Sequence, residues 1–297
     1  MFDLRYHVTS LAAVFIALLI GILVGVALAS HGLGNSERKS LEEDVRRAQN
    51  RADALQARVT ALEQNGAASA TFVNSTYSAL MTDRLKGKRV AVLFVGSVDH
   101  AIASDIANTL RDAGGGTALR LYAVQVPIDA AAVEERLAGR PALAKYSTDD
   151  QLRNLGRALG HEFVAGDNTP LWNALRNQIV QEATPRFGVS KRPADGVIVV
   201  RTADPQTGQT APFVKGLYEG VAGAGVPAVG VERSTSDFSA KRVFQQAQLS
   251  TIDDIDLDAG KLALAIVLSQ PASRADYGLH ANDLLPLVTP TLPTPSG

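Results

Sequence analysis

The loop after the first predicted strand contains the residue types of a hydrolytic site. Ser97, Asp99 and His100 lie there within four positions, and serine, aspartate and histidine together can form a nucleophilic triad. The members of a triad must converge in space, however, and neighbours in sequence seldom do. We therefore predict that they are solvated and cap the following helix. Backbone amides at that helix N-terminus are also suited to an anion.

Four aspartates late in the chain suggest a cation site. They are Asp253, Asp254, Asp256 and Asp258. A calcium-binding loop needs Gly at its sixth position and Glu at its twelfth. Counted from Asp254, these positions hold Ala259 and Ala265, so the pattern fails. We predict instead that Asp256 or Asp258 caps the next helix.

The composition excludes several kinds of metal site. The chain of 297 residues has no Cys, which rules out a thiol nucleophile, a disulfide framework, an iron–sulfur cluster and zinc sites that use Cys. Its five histidines form no i, i+4 pair, and methionine occurs only as Met1 and Met81. Soft ligands for Cu(I) are therefore nearly missing. We assign no metal ligand.

Cofactor and nucleic-acid binding also lack support. Neither G-x-G-x-x-G nor a Walker A sequence occurs, so nucleotide binding is not indicated. A net charge of -1 argues against a nucleic-acid partner, because such proteins are usually basic. We predict no catalytic residue, no cofactor-binding residue and no cofactor, and hence a protein that is not an enzyme.

Strand and helix patterns alternate after residue 87. An apolar run at 89–95 is typical of a strand that is buried on both faces of a parallel sheet. Further strands are predicted at 118–126, 196–201, 227–231 and 250–252. Helices are predicted at 101–113, 130–138, 148–159, 170–183, 212–222 and 259–268, with glycines 114–116 ending the first and Thr169 as an N-cap. The alternation predicts an α/β fold, a Rossmann-like three-layer domain with a mainly parallel sheet.

These elements define the expected domains. The α/β domain covers 87–270 and includes a helical insertion at 139–185. Residues 271–297 form a tail whose Pro286, Pro290, Pro293 and Pro295 favour an extended chain. A helical stalk at 36–85 precedes the domain.

The first thirty residues predict a membrane helix. A seven-residue tail (1–7) precedes 23 residues without a charge, 8–30, enough to span a hydrocarbon core of roughly 30 Å. A cleaved signal peptide is the alternative, since Arg5 and the Ala27-Leu28-Ala29 sequence fit its pattern. We favour an uncleaved single-pass anchor in the cytoplasmic membrane, with the C-terminal domain outside the cytoplasm. Small residues repeat every fourth position at Ala17, Gly21, Gly25 and Ala29, a stripe that favours close helix packing.

A heptad pattern follows the anchor. Its apolar positions are Leu41, Val45, Ala48, Ala52, Leu55, Val59 and Leu62. β-branched residues at a and Leu at d favour a parallel two-stranded coiled coil. Arg58 at g and Glu63 at the next e would attract each other between parallel chains. We predict a parallel homodimer; a single amphipathic helix that packs on its own domain is the alternative.

The opening sequence FDLRYHVTSLAAVF, residues 2–15, resembles the N-terminus of the MctB family of actinobacterial envelope proteins. Further similarities are STID at 250–253, DYG at 276–278 and LLP at 284–286, and the order of anchor, coil and α/β domain also agrees. The resemblance implies copper transport or efflux and copper homeostasis, with copper implied by resemblance only. The chain also resembles SteB, which implies an envelope scaffold for cell separation that regulates peptidoglycan hydrolysis with a cell-division partner. We predict that the chain is not itself a pore, because its single membrane helix has no polar stripe.

Overall fold

The structure is a computed structural model, and it describes residues 4–29, 35–166, 169–182, 192–236, 238–270 and 274–286. The chain divides into two compact units, Met1–Ala70 and Thr71–Gly297. Helix α1 (Leu4–Ala29) consists almost wholly of apolar residues. Helix α2 (Asn35–Met81) is charged over much of its length. Within α1, Ser10–Ala27 is exposed and is long and apolar enough to cross a membrane.

The rest of the chain alternates strands and helices. The strands are β1 (Val90–Val95), β2 (Arg120–Val124), β3 (Val180–Glu182), β4 (Gly196–Arg201), β5 (Ala228–Val231), β6 (Ser250–Ile252) and β7 (Asp276–Tyr277). The helices are α3 (His100–Asp112), α4 (Ala130–Ala138), α5 (Leu152–Ala165), α6 (Pro170–Leu175), α7 (Thr210–Ala222), α8 (Lys241–Gln246) and α9 (Asp258–Ser269). Two single turns of 3-10 helix, Ala144–Tyr146 and Asp149–Gln151, precede α5.

The described strands form one seven-stranded sheet in the order β3-β2-β1-β4-β5-β6-β7. Only β3 is antiparallel, and it pairs with β2 at an edge. The mixed α/β class and the mainly parallel sheet predicted from the sequence are therefore confirmed. The central pair β1 and β4 starts with Val90 opposite Gly196.

The sheet is buried on both faces, as the apolar strands require. Side chains of β1 alternate between two separate cores: Leu93 and Val95 pack with α4 to α8, whereas Val92 and Phe94 pack with α3 and α9. All six residues of β1 are buried. A bidentate pair between Arg89 and Asp195, with nitrogen–oxygen distances of 2.7 and 2.8 Å, joins the chain just before β1 and β4.

Helices α5 and α7 pack closely through glycines. These are Gly156 and Gly160 in α5 and Gly216 and Gly220 in α7. A Cβ at Gly216 would overlap the carbonyl oxygen of Arg153, and the other three would likewise overlap backbone of the facing helix. At the edge of this contact, Arg153 and Arg157 both pair with Glu219. Side chains larger than hydrogen are therefore excluded from the contact.

The segment 170–183 differs from its prediction as one helix. Helix α6 ends at Leu175, the chain turns through Asn177 with φ 64, and β3 then pairs with the edge strand β2. The prediction of one helix was wrong because pairing of 180–182 with strand β2 outweighs the helical spacing of the local sequence. Thr169 is the N-cap residue of α6 but its side chain makes no cap hydrogen bond. The carboxylate of Glu162 accepts hydrogen bonds from the amides of Leu171 and Trp172 instead.

The segment after α9 contains a seventh strand that the sequence pattern did not predict. β7 pairs in parallel with β6, with Thr251 opposite Asp276. The hydroxyl of Thr251 donates to the Asp276 carboxylate at 2.6 Å. Of the four prolines predicted to extend this tail, Pro290, Pro293 and Pro295 lie outside the described residues.

Candidate functional site

The strand order reverses between β1 and β4. β2 lies on one side of β1, whereas β4 lies on the other and continues to β5 and β6. In open α/β sheets, ligands bind outside the carboxyl ends of the strands at such a switch point. Here that edge is formed by the residues that follow Val95 and Arg201.

The gap directly between these two strand ends is closed by the chain itself. The amides of Thr202 and Ala203 donate to the carbonyl of Val95 at 3.0 and 3.1 Å. The Thr202 hydroxyl donates to the carbonyl of Ser97 at 2.5 Å. Gly96 adopts φ +113, and a Cβ there would lie 2.6 Å from the Thr202 hydroxyl oxygen. A ligand at this edge must therefore sit beside the gap.

A cavity of about 210 Å³ lies beside it. Its walls come from the ends of β1 and β4, the loop after β4, α7 and α8. The lining residues are Val95, Arg201, Ala203, Pro205, Gln206, Ala211, Val214, Lys215, Tyr218, Val243, Gln246 and Ala247. The lining is mainly apolar, and its charged side chains, Arg201 and Lys215, are both positive. We name this space the switch-point cavity.

Two buried polar atoms of residues that line the cavity have no hydrogen-bond partner among the described residues. One is the hydroxyl of Tyr218, a side chain that is 2% exposed. The other is Nε of Arg201, whose guanidinium donates at Nη2 to the carbonyl of Phe238 at 2.8 Å. Burial raises the pKa of Tyr218, and the nearby Arg201 charge opposes that rise. A buried polar group without a partner costs about 1–3 kcal/mol, so each of these two atoms calls for an explanation.

A second polar cluster lies at the carboxyl end of β6, and we name it the acidic corner. It consists of Asp253, Asp254, Lys241 and His280. The Asp253 carboxylate is buried and accepts from Lys241 Nζ and from the His280 amide, both at 3.2 Å. Asp254 is 0% exposed, and neither carboxylate oxygen has a partner among the described residues. Burial first, and then the charges of Asp253 and Asp256, raise the pKa of Asp254 to about 7.

The predicted capping by Asp256 or Asp258 is wrong. The N-cap residue of α9 is Leu257, with no side-chain cap hydrogen bond. Asp256 instead accepts from the amide and hydroxyl of Ser234, both at 2.7 Å. Asp258 lies in the first turn of α9 and pairs with Lys261 at 3.2 Å. Asp256 therefore fixes the loop at Ser234, whereas Asp258 pairs within its own helix.

The loop after β1 has the predicted capping role. The carboxylate of Asp99 accepts hydrogen bonds from the amides of Ala101 and Ile102 at 2.8 and 2.9 Å. These two amides therefore already have the Asp99 carboxylate as their partner. Ser97 and His100 make no side-chain hydrogen bond with Asp99 among the described contacts. The three residues do not form a triad.

Metal ligands do not converge in the part of the chain that the structure describes. No group of three or more His, Asp or Glu side chains there could hold a metal ion. The predicted small-residue stripe, Ala17, Gly21, Gly25 and Ala29, lies on α1. The predicted seam, Leu41, Val45, Ala48, Ala52, Leu55, Val59 and Leu62, lies on α2, and each of its side chains is exposed in the single chain. Pairing of the stripe and of the seam with a second copy of the chain remains a prediction.

Sequence patterns missed the switch-point cavity. Its residues come from two strands, two helices and a loop, and no sequence spacing joins these separate elements. One local indication was present: Arg201 ends the otherwise apolar strand GVIVVR. This charge lies at the carboxyl end of a strand, where open α/β sheets bind their ligands.

Proteins with sequences similar to this chain include several from mycobacteria. The sequence profile of a family described as "Copper transport outer membrane protein, MctB" matches residues 1–286. Copper transporter MctB of Mycobacterium bovis is 24% identical over an alignment of 296 positions that covers 90% of this chain and 92% of that protein. Proteins of the same name from two strains of Mycobacterium tuberculosis match equally well. Because the profile covers nearly the whole sequence, the chain belongs to the MctB family.

Proposed function

We propose that this protein is a single-pass envelope protein of copper homeostasis that α1 anchors in the cytoplasmic membrane. The second compact unit, Thr71–Gly297, which we name the α/β unit, then lies outside the cytoplasm. The observation that carries the proposal is the family match over residues 1–286. The name of the mycobacterial relatives, copper transporter, supports the copper role. The exposed apolar stretch Ser10–Ala27 supports the anchor.

We further propose that one chain does not enclose a pore. The one candidate span among the described residues is Ser10–Ala27, and a single helix has no interior. Its sequence is apolar on every side, so it offers no polar lining. The protein therefore acts on copper flux with other components, and no resident copper site is required.

A second copy of this chain is the proposed partner of α2. The seam side chains are apolar yet exposed, for example Leu55 at 63% and Leu62 at 64%. A parallel copy would cover them in a coiled coil. It would also place Arg58 beside Glu63 of the other helix, where opposite charges attract. The proposed α/β domain at 87–270 then occurs twice in each assembly.

Copper content tests the proposed role directly. Deleting the gene is expected to change copper accumulation and tolerance, and the full chain is expected to restore both. A chain beginning at residue 35, which lacks α1, serves as the control and is expected to fail. Unchanged copper content and tolerance in the deletion strain would contradict the copper role.

Protease access tests the orientation. In intact spheroplasts, added protease is expected to digest the α/β unit while cytoplasmic proteins survive. A cleaved signal peptide instead of an anchor would give a mature chain that begins near residue 30, which N-terminal sequencing detects. Protection of the α/β unit until the membrane is lysed would refute the proposed orientation.

A dimeric envelope scaffold for cell separation is the second candidate function. The exposed seam on α2 favours it, because a membrane-tethered dimer is suited to holding partners. Capture of the anchored protein from membranes is then expected to recover envelope or cell-division proteins. A capture that recovers the second copy alone would argue against the scaffold while leaving the copper role standing.

A further inference from the structure

The switch-point cavity combines three properties of a ligand site. It lies at the carboxyl ends of β1 and β4, where α/β sheets bind their ligands. It measures about 210 Å³, more than the roughly 150 Å³ that accommodates a benzene ring. Its apolar wall is combined with a few polar groups, as in most small-molecule sites.

The charges of the wall select the kind of ligand. Arg201 and Lys215 line the cavity, and no aspartate or glutamate does so among the described residues. The hydroxyl of Tyr218 and Nε of Arg201 are hydrogen-bond donors without a partner. A carboxylate accepts from several donors at once and forms strong charge-assisted hydrogen bonds with Arg. Val95, Val214 and Val243 supply apolar surface to the same cavity.

We propose that the switch-point cavity binds a small organic carboxylate whose apolar body is about one ring in size. The carboxylate accepts from Tyr218 and Arg201, with Lys215 adding positive charge at the wall. The ring lies against the valines. Binding at this site is independent of the copper role, since no metal ligand lines the cavity.

The test uses 4-fluorobenzoate and fluorine NMR with the full chain in lipid nanodiscs. We expect saturable binding, with 4-fluorobenzyl alcohol, a neutral molecule of similar size, binding at least about tenfold more weakly. Empty nanodiscs correct for partition into lipid. No saturable binding of 4-fluorobenzoate, or equal affinity for the alcohol, would overturn the proposal.

Variants locate the site. Tyr218→Phe keeps the ring and removes the unpartnered hydroxyl, so we expect a higher melting temperature together with about tenfold weaker binding. Lys215→Gln is expected to weaken binding, whereas Lys86→Gln changes an exposed lysine outside the cavity and is expected to leave it unchanged. Unchanged affinity in both Tyr218→Phe and Lys215→Gln would place the ligand elsewhere and sink the proposal.

Discussion

Single residues show how strongly the environment decides what an aspartate does. Asp99 caps a helix, as its position in sequence predicts, because its carboxylate meets two free amides. Asp256 is also close to a helix start, yet Ser234 supplies its donors from 22 positions away. Asp254 meets no donor among the described residues. Sequence identifies the carboxylates, and only the fold determines which donors reach them.

The buried Asp254 makes stability depend on pH. Its pKa is raised from 3.8 to about 7 in the folded state, so the folded chain holds a proton that the unfolded chain releases. Stability therefore falls as pH rises from about 4 to about 7, by about 2–3 kcal/mol between pH 5 and pH 8. We expect Asp254→Asn, which mimics the protonated form, to remove this fall in thermal denaturation.

The control for that experiment is Asp53→Asn, which changes an exposed aspartate of α2. It is expected to leave the melting temperature close to that of the unchanged chain at both pH values. If Asp254→Asn and the unchanged chain lose the same stability between pH 5 and pH 8, the raised pKa of Asp254 is refuted.

At the scale of elements, burial decides which predictions succeed. β4 was predicted with its observed bounds, 196–201, because a strand covered on both faces consists of consecutive apolar residues. The edge strands β3 and β7 were missed, because β3 lies in a segment with helical spacing and β7 has only two residues. The switch-point cavity was missed for a related reason: only tertiary packing brings α7 and α8 beside Arg201.

The glycine contact between α5 and α7 gives a prediction at this scale. Gly216→Ala places a methyl group against the Arg153 carbonyl, and a backbone carbonyl cannot move aside as a side chain can. Overpacking outweighs the gain in helix propensity of about 1 kcal/mol. We expect the free energy of unfolding to fall by about 2–3 kcal/mol, measured by urea denaturation.

Gly139→Ala is the matched control. A Cβ at Gly139 meets no atom within 4 Å, and its φ of -68 suits any residue. Its unfolding free energy is expected to change by less than about 0.5 kcal/mol. Equal effects of the two substitutions would show that close helix approach is not the cause.

At the scale of the whole molecule, the sequences of α1 and α2 both favour parallel association with a second copy of the chain. The small-residue stripe on α1 and the apolar seam on α2 each favour a parallel second copy. The proposed coiled-coil interface is weak near Ala48 and Ala52, because alanine side chains bury little apolar surface. Its assembly is therefore sensitive to single charges at those positions.

Light scattering tests the seam with residues 35–297, from which α1 is removed. Ala48→Asp combined with Ala52→Asp places like charges face to face, and we expect a monomer in place of a dimer. Ala57→Asp combined with Ala61→Asp makes the same chemical change at heptad positions f and c, away from the seam, and is expected to leave a dimer. A dimeric mass for the seam variant would refute the coiled coil.

The pairing of β1 with β4 has a kinetic consequence. Arg89 and Asp195, which join the starts of these neighbouring strands, are 106 positions apart. The centre of the sheet therefore forms only when a long loop closes. Closing that loop costs conformational entropy before the contacts between β1 and β4 can stabilise the chain. We expect refolding of the α/β unit on the scale of milliseconds to seconds, not microseconds. During that time the apolar edges of β1 and β4 lack their partners, so dilution during refolding protects the chain from aggregation.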